Sequence, residues 1–220
     1  MNRSQLKIFP SLISADLLNL RHEIDQLAPH CDGFHIDVMD GIFVPNLTWG
    51  FPFISAIMGA TSKPLAIHLM VIEPESFARR LELSANTIIS FHIEAVTAPE
   101  ILINYLKSKN WRASIALKPS TDLKKLIPYL PIVDEVLLMS VEPGFSGQPF
   151  IQSSLERLKE LVSLREIKNL HFTIAMDGGI NVENLPKLFE SGLQSAAIAS
   201  ALFCHTDRIA ALKKLYQSAQ

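Results

Sequence analysis

The stretch FHIDVMDG, Phe34 to Gly41, reads as a buried strand with two residues out of place. Side chains alternate faces along a strand, so Phe34, Ile36 and Val38 share one side while His35 and Asp37 share the other. The pattern fits a barrel strand. Its apolar face would pack outward against helices, and its polar face would turn into the barrel mouth, where a metal ion would offset the cost of burying a carboxylate. Asp40, beyond the strand and before Gly41, reads as a turn-shaping residue rather than part of the chemistry.

Working outward, short apolar segments recur along the chain, flanked by turn residues and several of them rich in Ile, Val, Leu and Phe. Strands are predicted at Lys7–Ser11, Gly33–Val38, Pro64–Met70, Thr87–His92, Arg112–Leu117, Glu135–Ser140, His171–Met176 and Ser195–Ser200. Amphipathic segments lie between them, among them Leu18–Leu27, Glu75–Leu83, Glu100–Lys107 and Leu155–Leu164, with Asp16 and Asn181 as N-caps and Gly192 as a C-cap. Eight strands alternating with helices is the rhythm of a (β/α)₈ TIM barrel, and no linker-like tract divides residues 1–220, so a single domain is expected. A doubly wound open sheet would carry a glycine-rich turn after its first strand. Here that position holds Pro10-Ser11-Leu12.

The chain has 220 residues, 48% of them hydrophobic, and a formal net charge of -2, so it can bury a large core but presents no basic excess for nucleic acid or an anionic membrane. Cys31 and Cys204 have no close-spaced partner, which argues against a disulfide framework or a thiolate metal site and suits a reducing compartment. The N-terminal segment lacks the apolar core of a signal peptide. An uncharged run between Asp40 and Lys63 is interrupted by Pro45, Asn46, Gly50 and Pro52, which excludes a spanning helix. A cytoplasmic protein is expected.

In such a barrel the chemistry sits at the C-terminal strand ends, which here hold Ser11, His35, Asp37, His68, His92, Ser140 and Asp177. Any one of them alone reads as an ordinary hydrogen-bonded rim residue. Together, His35, Asp37, His68 and Asp177 offer two imidazoles and two carboxylates, a set suited to zinc, iron, cobalt or manganese rather than to calcium or magnesium. Three later loops are candidates for gripping a phosphate: Gly144-Phe145-Ser146-Gly147, Gly178-Gly179 and Ala199-Ser200. Met39, Met70 and Met139, at or next to strand ends, read as core filler or as a dry lining over the site.

These residues resemble the ribulose-phosphate 3-epimerase family over essentially the whole chain. The likeness is carried by FPSLISAD at 9–16, FHIDVMDGIFVPNLTWG at 34–50, PLAIHLMV at 64–71, FHIEA at 91–95, MSVEPGFSGQPFI at 139–151 and MDGGIN at 176–181. The resemblance implies a metal held by His35, Asp37, His68 and Asp177 (zinc first, with Fe²⁺, Mn²⁺ or Co²⁺ as alternatives) and an acid–base pair in Asp37 and Asp177. It places Ser11 and His68 near the substrate and assigns the three loops to its phosphate. It further implies homo-oligomers, dimers or hexamers, and interconversion of D-ribulose 5-phosphate and D-xylulose 5-phosphate in the pentose phosphate pathway. A sister epimerase acting on D-allulose 6-phosphate would keep the same metal and acids, and a non-catalytic sugar-phosphate binder is the alternative from another class. Two departures stand out: Ala199 where the family has glycine, and Ala175-Met176 before Asp177 where it commonly has Glu-Val.

Overall fold

The computed structural model describes residues 5–219. Its eight strands are β1 (Lys7–Pro10), β2 (Phe34–Met39), β3 (Leu65–Met70), β4 (Ile88–His92), β5 (Arg112–Leu117), β6 (Glu135–Met139), β7 (Thr173–Asp177) and β8 (Ser195–Ile198). Every neighbouring pair is parallel, in the order β1-β8-β7-β6-β5-β4-β3-β2, and a bridge between Ser11 and His35 brings the two ends of the series together. The result is a (β/α)₈ barrel. The helices are α1 (Leu20–Leu27), α2 (Phe51–Ala60), α3 (Pro74–Ala78), α4 (Pro99–Ser108), α5 (Ser153–Ile167), α6 (Leu185–Glu190), α7 (Ser200–Phe203) and α8 (Arg208–Ser218). None is long and apolar enough to cross a membrane.

The alternation read from the sequence sorts the core into two regions. Outward-facing Phe34, Ile36, Val38, Ile67, Leu69 and Phe91 join Ile24, Leu27, Leu102, Leu158 and Leu212 of the helices in one continuous apolar shell. Inside the barrel the apolar residues form only small groups, such as Phe9 with Ala66 and Ile88, and Ala116 with Leu137 and Ala175. Buried Ser11, His35, Asp37, His68, Ser90, His92, Ser114, Glu135 and Ser195 are among the residues of the polar interior. Register then sets which of them meet: β2 and β3 pair Asp37 with His68 and Met39 with Met70, and β6 and β7 pair Met139 with Asp177.

Strand limits move by a residue or two from those expected. The helices differ more. Leu17–Asn19 forms a 3₁₀ turn capped by Asp16 before α1 begins, α3 stops at Ala78, and α5 starts only at Ser153, well after β6 ends. That delay has a cause: the Ile151 N–H donates to the Ser140 carbonyl (2.9 Å), so this segment first runs back along β6. Between β5 and β6 the chain makes only a 3₁₀ turn, Leu123–Leu126, in a segment punctuated by Pro119, Pro128 and Pro131. Asn181 accepts the N–H groups of Glu183 and Asn184 at the entry to α6, and Gly192, with φ +101°, ends that helix as expected.

The β1–β2 seam is the weak point of the ring, and Asp32-Gly33 closes it. The Asp32 N–H donates to the Ile8 carbonyl (3.1 Å), while its Oδ2 accepts the Ile8 N–H (2.9 Å) and the Tyr216 hydroxyl of α8. A carboxylate thus replaces a missing ladder partner and ties the last helix to the seam. At Gly33 a Cβ would lie 2.3 Å from the Phe9 ring and 2.4 Å from the Pro64 carbonyl oxygen, so only glycine lets β1 and β3 approach β2 this closely. Gly33→Ala is expected to destabilise the fold by about 3 kcal/mol, at the upper end of overpacking costs. Urea unfolding checks this; a loss too small to resolve would mean that the seam tolerates the methyl group.

Candidate active site

Four side chains from three strands converge inside the C-terminal mouth of the barrel. His35 Nε2 lies 3.2 Å from Asp37 Oδ1 and 3.6 Å from Asp177 Oδ2; His68 Nδ1 lies 3.4 Å and 3.3 Å from the same two oxygens. All four donor atoms fall within 4.8 Å of one another. Bonds of about 2.0–2.1 Å to a tetrahedral ion give ligand-to-ligand edges of about 3.3 Å, the size of these separations. His68 Nδ1 is buried without a hydrogen-bond partner, which an ion at the centre would remedy. The cluster therefore has the donor types and the spacing to hold a divalent metal.

The electrostatics point the same way. Burial opposes the charge on Asp37, but His35 and His68 outweigh it and hold the carboxyl well below its usual range. Burial also opposes the charge on both histidines. Asp37 and Asp177 outweigh it, raising His35 above its ordinary value and His68 to about 9. Both carboxylates thus favour a proton on the imidazoles beside them. A divalent cation would replace those protons with the same net charge.

The pocket above the cluster collects residues expected from the sequence. Ser11, Asp37, Met39, Met70, Met139, Gly144, Phe145, Ser146, Gly147, Asp177, Gly178, Gly179, Ala199 and Ser200 all line it, whereas His35 and His68 lie behind, below its floor. The Ser11 hydroxyl donates to Asp37 Oδ2 at 2.5 Å, leaving Oδ1 to face the histidines. The glycines of the later loops carry positive φ, from +64° at Gly179 to +127° at Gly144. Packing also demands two of them: a Cβ on Gly178 would meet Val141 at 2.4 Å, and one on Gly179 would meet the Phe150 nitrogen at 2.5 Å. Ala199 has φ −106° and ψ −103°, so the residue beside Ser200 does not adopt the positive φ that favours glycine.

The match to known proteins is decisive at this point. The family model for the ribulose-phosphate 3 epimerase family matches residues 7–203. The chain belongs to the ribulose-phosphate 3-epimerase family. It is 37% identical over 209 residues to the ribulose-phosphate 3-epimerase of Treponema pallidum, covering 94% of this chain and 95% of that one. With the Methanocaldococcus jannaschii ribulose-phosphate 3-epimerase it shares 39% identity over 215 residues, 97% of this chain and 91% of the other. Among solved structures, the thiamine phosphate pyrophosphorylase of Pyrococcus furiosus superposes with a TM-score of 0.66 at 14% identity, over 99% and 96% of the two chains, a likeness of fold alone.

Several residues of this epimerase's site escaped the sequence reading. Asn46 donates to the Gly144 carbonyl (2.9 Å), Ser14 and Ser146 share a hydrogen bond (2.7 Å), and Gln148 donates to the carbonyls of Glu142 and Phe145. The Asn46 and Ser14 contacts cross between loops far apart in the chain, so no local pattern announces them, whereas the Gln148 bonds brace a single loop from within. His92 is different: it was visible as a strand-end histidine, and its Nε2 lies 2.9 Å from Nε2 of His68.

Asp40 is a scaffold residue in this geometry. Its Oδ1 accepts the N–H groups of Ile42 and Phe43 (2.8 Å each) and its Oδ2 that of Ile72 (2.7 Å), joining the loops after β2 and β3. Asp40→Asn keeps an acceptor for only part of this set and should cost about 1–3 kcal/mol of stability, with activity recovering when the folded fraction is assayed. A fully folded but inactive variant would place Asp40 in the chemistry instead. The pH response follows from the cluster. His68, raised from 6.5 to about 9, stabilises the metal-free fold fully below about pH 6.5, and that contribution is lost as pH rises through about 9. Asp37, lowered from 3.8, contributes above about pH 4 and less as pH falls further. The metal-free protein should therefore melt at lower temperature as pH rises from 6.5 to 9, while Zn²⁺ affinity rises over the same window because fewer protons need displacing. Thermal scans and metal titrations at several pH values check both slopes, and parallel slopes would contradict the proton-for-metal exchange.

Proposed function

We propose that this epimerase interconverts D-ribulose 5-phosphate and D-xylulose 5-phosphate by inverting C3, with Asp37 and Asp177 as the two acid–base groups and zinc as the resident ion. The observation that carries this reading is the placement of the carboxylates. They come from β2 and β7, on different sides of the ring, line one pocket, and approach the same nitrogen of His68 within 3.4 Å and 3.3 Å. Inversion requires a proton to leave one face of a carbon and another to arrive on the opposite face, which a single group cannot serve. One carboxylate removes the C3 proton, the other, protonated, delivers one, and the roles swap in the reverse direction.

When bound at the cluster, a divalent ion would supply Lewis-acid stabilisation to the negative charge that develops on the substrate oxygens at C2 and C3, worth several kcal/mol. The protein's own residues do the rest. Ser11 fixes the rotation of Asp37 by donating to Oδ2, so Oδ1 keeps its direction through the proton transfer. Met39, Met70 and Met139, each at most 4% exposed, give the pocket a dry wall that limits solvent access to the enediolate formed when the C3 proton leaves and its electron pair moves toward the C2 oxygen. The loops at Gly144–Gly147, Gly178-Gly179 and Ala199-Ser200 border the other part of the pocket, where they would hold the phosphate and fix C3 between the two acids.

Asp37→Asn and Asp177→Asn should each lower epimerisation of ribulose 5-phosphate by about 10²–10⁴-fold, the usual worth of a positioned proton-transfer group. Deuterium uptake at C3 separates their roles, because a variant that lacks only the delivering acid still exchanges the proton while failing to invert the centre. Chelation should abolish turnover and added Zn²⁺ should restore it. Near-normal turnover in either Asn variant would sink the two-acid scheme, and faster turnover of a hexulose 6-phosphate than of the pentulose would reassign the substrate.

A further inference from the structure

The metal cluster leaves one set of buried polar groups unexplained. His68 Nε2, the nitrogen facing away from the cluster, lies 2.9 Å from His92 Nε2, and His92 Nδ1 lies 3.2 Å from Glu94 Oε2. Both histidines are fully buried. Glu94 Oε1 in turn accepts the Lys118 N–H at 2.9 Å and the Thr121 hydroxyl. Arg157 of α5 clamps the loop that carries these two donors, reaching the Thr121 carbonyl at 2.7 Å and the Lys118 carbonyl at 3.3 Å. The chain of contacts thus runs from the barrel interior to an outer helix.

Proton counting fixes its polarity. Glu94 Oε1 is committed to two donors, so Oε2 of the carboxylate faces His92 Nδ1 as an acceptor, and Nδ1 must carry a proton. A neutral His92 then has a bare Nε2, which can only accept, so the proton between the two rings belongs to His68 Nε2. With its proton on Nε2, a neutral His68 presents a lone pair at Nδ1, toward Asp37 and Asp177. We propose that Glu94 is a positioning residue that, through His92, sets the tautomer of His68 and keeps its Nδ1 available as a metal donor. Complete burial of the His92 ring disfavours a charge on it. Burial opposes the charge on Glu94, but His92, Thr121 and the Lys118 N–H outweigh it and hold the carboxyl at about 2.

The inference rests on the metal reading of the cluster, yet it has a test of its own. Glu94→Gln is the informative change. Its carbonyl oxygen stays where Lys118 N–H and Thr121 O–H converge, so its NH₂ faces His92 Nδ1 and forces that nitrogen to accept. His92 must then donate from Nε2, His68 Nε2 must accept, and a neutral His68 carries its proton on Nδ1, against the ion. Glu94→Ala removes the carboxylate without installing a donor. The expected order is therefore unusual: Glu94→Gln, the milder change in shape, should weaken Zn²⁺ binding about 10–100-fold in competition with a chelator, the usual effect of losing a ligand's supporting partner, and Glu94→Ala should weaken it less. A purely structural Glu94 predicts the reverse order, and that result would overturn the proposal. Nitrogen chemical shifts of His92 and His68 in the metal-free wild-type protein above about pH 9, where His68 has lost its second proton, provide a second reading that needs no variant: His92 Nδ1–H with His68 Nε2–H supports the relay, and His92 Nε2–H overturns it. If the wild-type protein failed to bind Zn²⁺, the metal reading would fall while the His92 tautomer still decided the polarity of the relay.

Discussion

The arrangement on which the rest depends is the meeting of two carboxylates and two imidazoles in the mouth of the barrel. Asp37 and His68 are opposite one another in the β2–β3 register, and Asp177 ends β7 on another side of the ring. Bringing like charges from Asp37 and Asp177 together in a buried space is unfavourable unless cations intervene. The two carboxylates favour the protonated form of both histidines, and a divalent ion would supply the same charge more compactly. The closure of the ring serves that end: Asp32, Gly33 and the Ser11–His35 bridge hold β1 against β2, and the same bridge sets Ser11 beside Asp37.

Around the cluster, the molecule separates holding the site from doing the chemistry. Asp40 has the same charge as Asp37 and sits three residues later, but its oxygens are spent on backbone N–H groups of two loops. Gly178 and Gly179 border the pocket where a phosphate would sit, and they are also required by the close approach of Val141 and Phe150. Their presence alone would have been accounted for by packing. The His92–Glu94 pair lies behind the cluster, where an apolar pair would have filled the same space. A hydrogen-bonded chain in its place costs desolvation and returns a defined proton position on a residue that must offer a lone pair.

Much of this was legible in the chain. Eight apolar segments at barrel spacing located all eight strands, and period-2 alternation told the outward Phe34, Ile36 and Val38 from the inward His35 and Asp37. The helices were read less well, because proline-punctuated segments such as 119–131 and the return of residues 149–151 toward β6 depend on contacts that the local sequence does not encode. The site residues named from strand ends do come together, since in a barrel every C-terminal strand end faces one mouth. Loop-to-loop ties such as Asn46 to Gly144, separated by 98 positions, carry no pattern that a sequence can display.

By itself, then, the sequence determined the alternation of strands and helices, the inward set of polar side chains and the membership of the family, because each depends on local periodicity or on residue identity. Tertiary structure decided the rest: that His68 turns Nδ1, not Nε2, toward the carboxylates, that Ser11 takes one oxygen of Asp37, and that Ala199 sits at negative φ. These are matters of distance and orientation between residues far apart in the chain. Physical chemistry assigns them only after the ring has closed and set every strand in register.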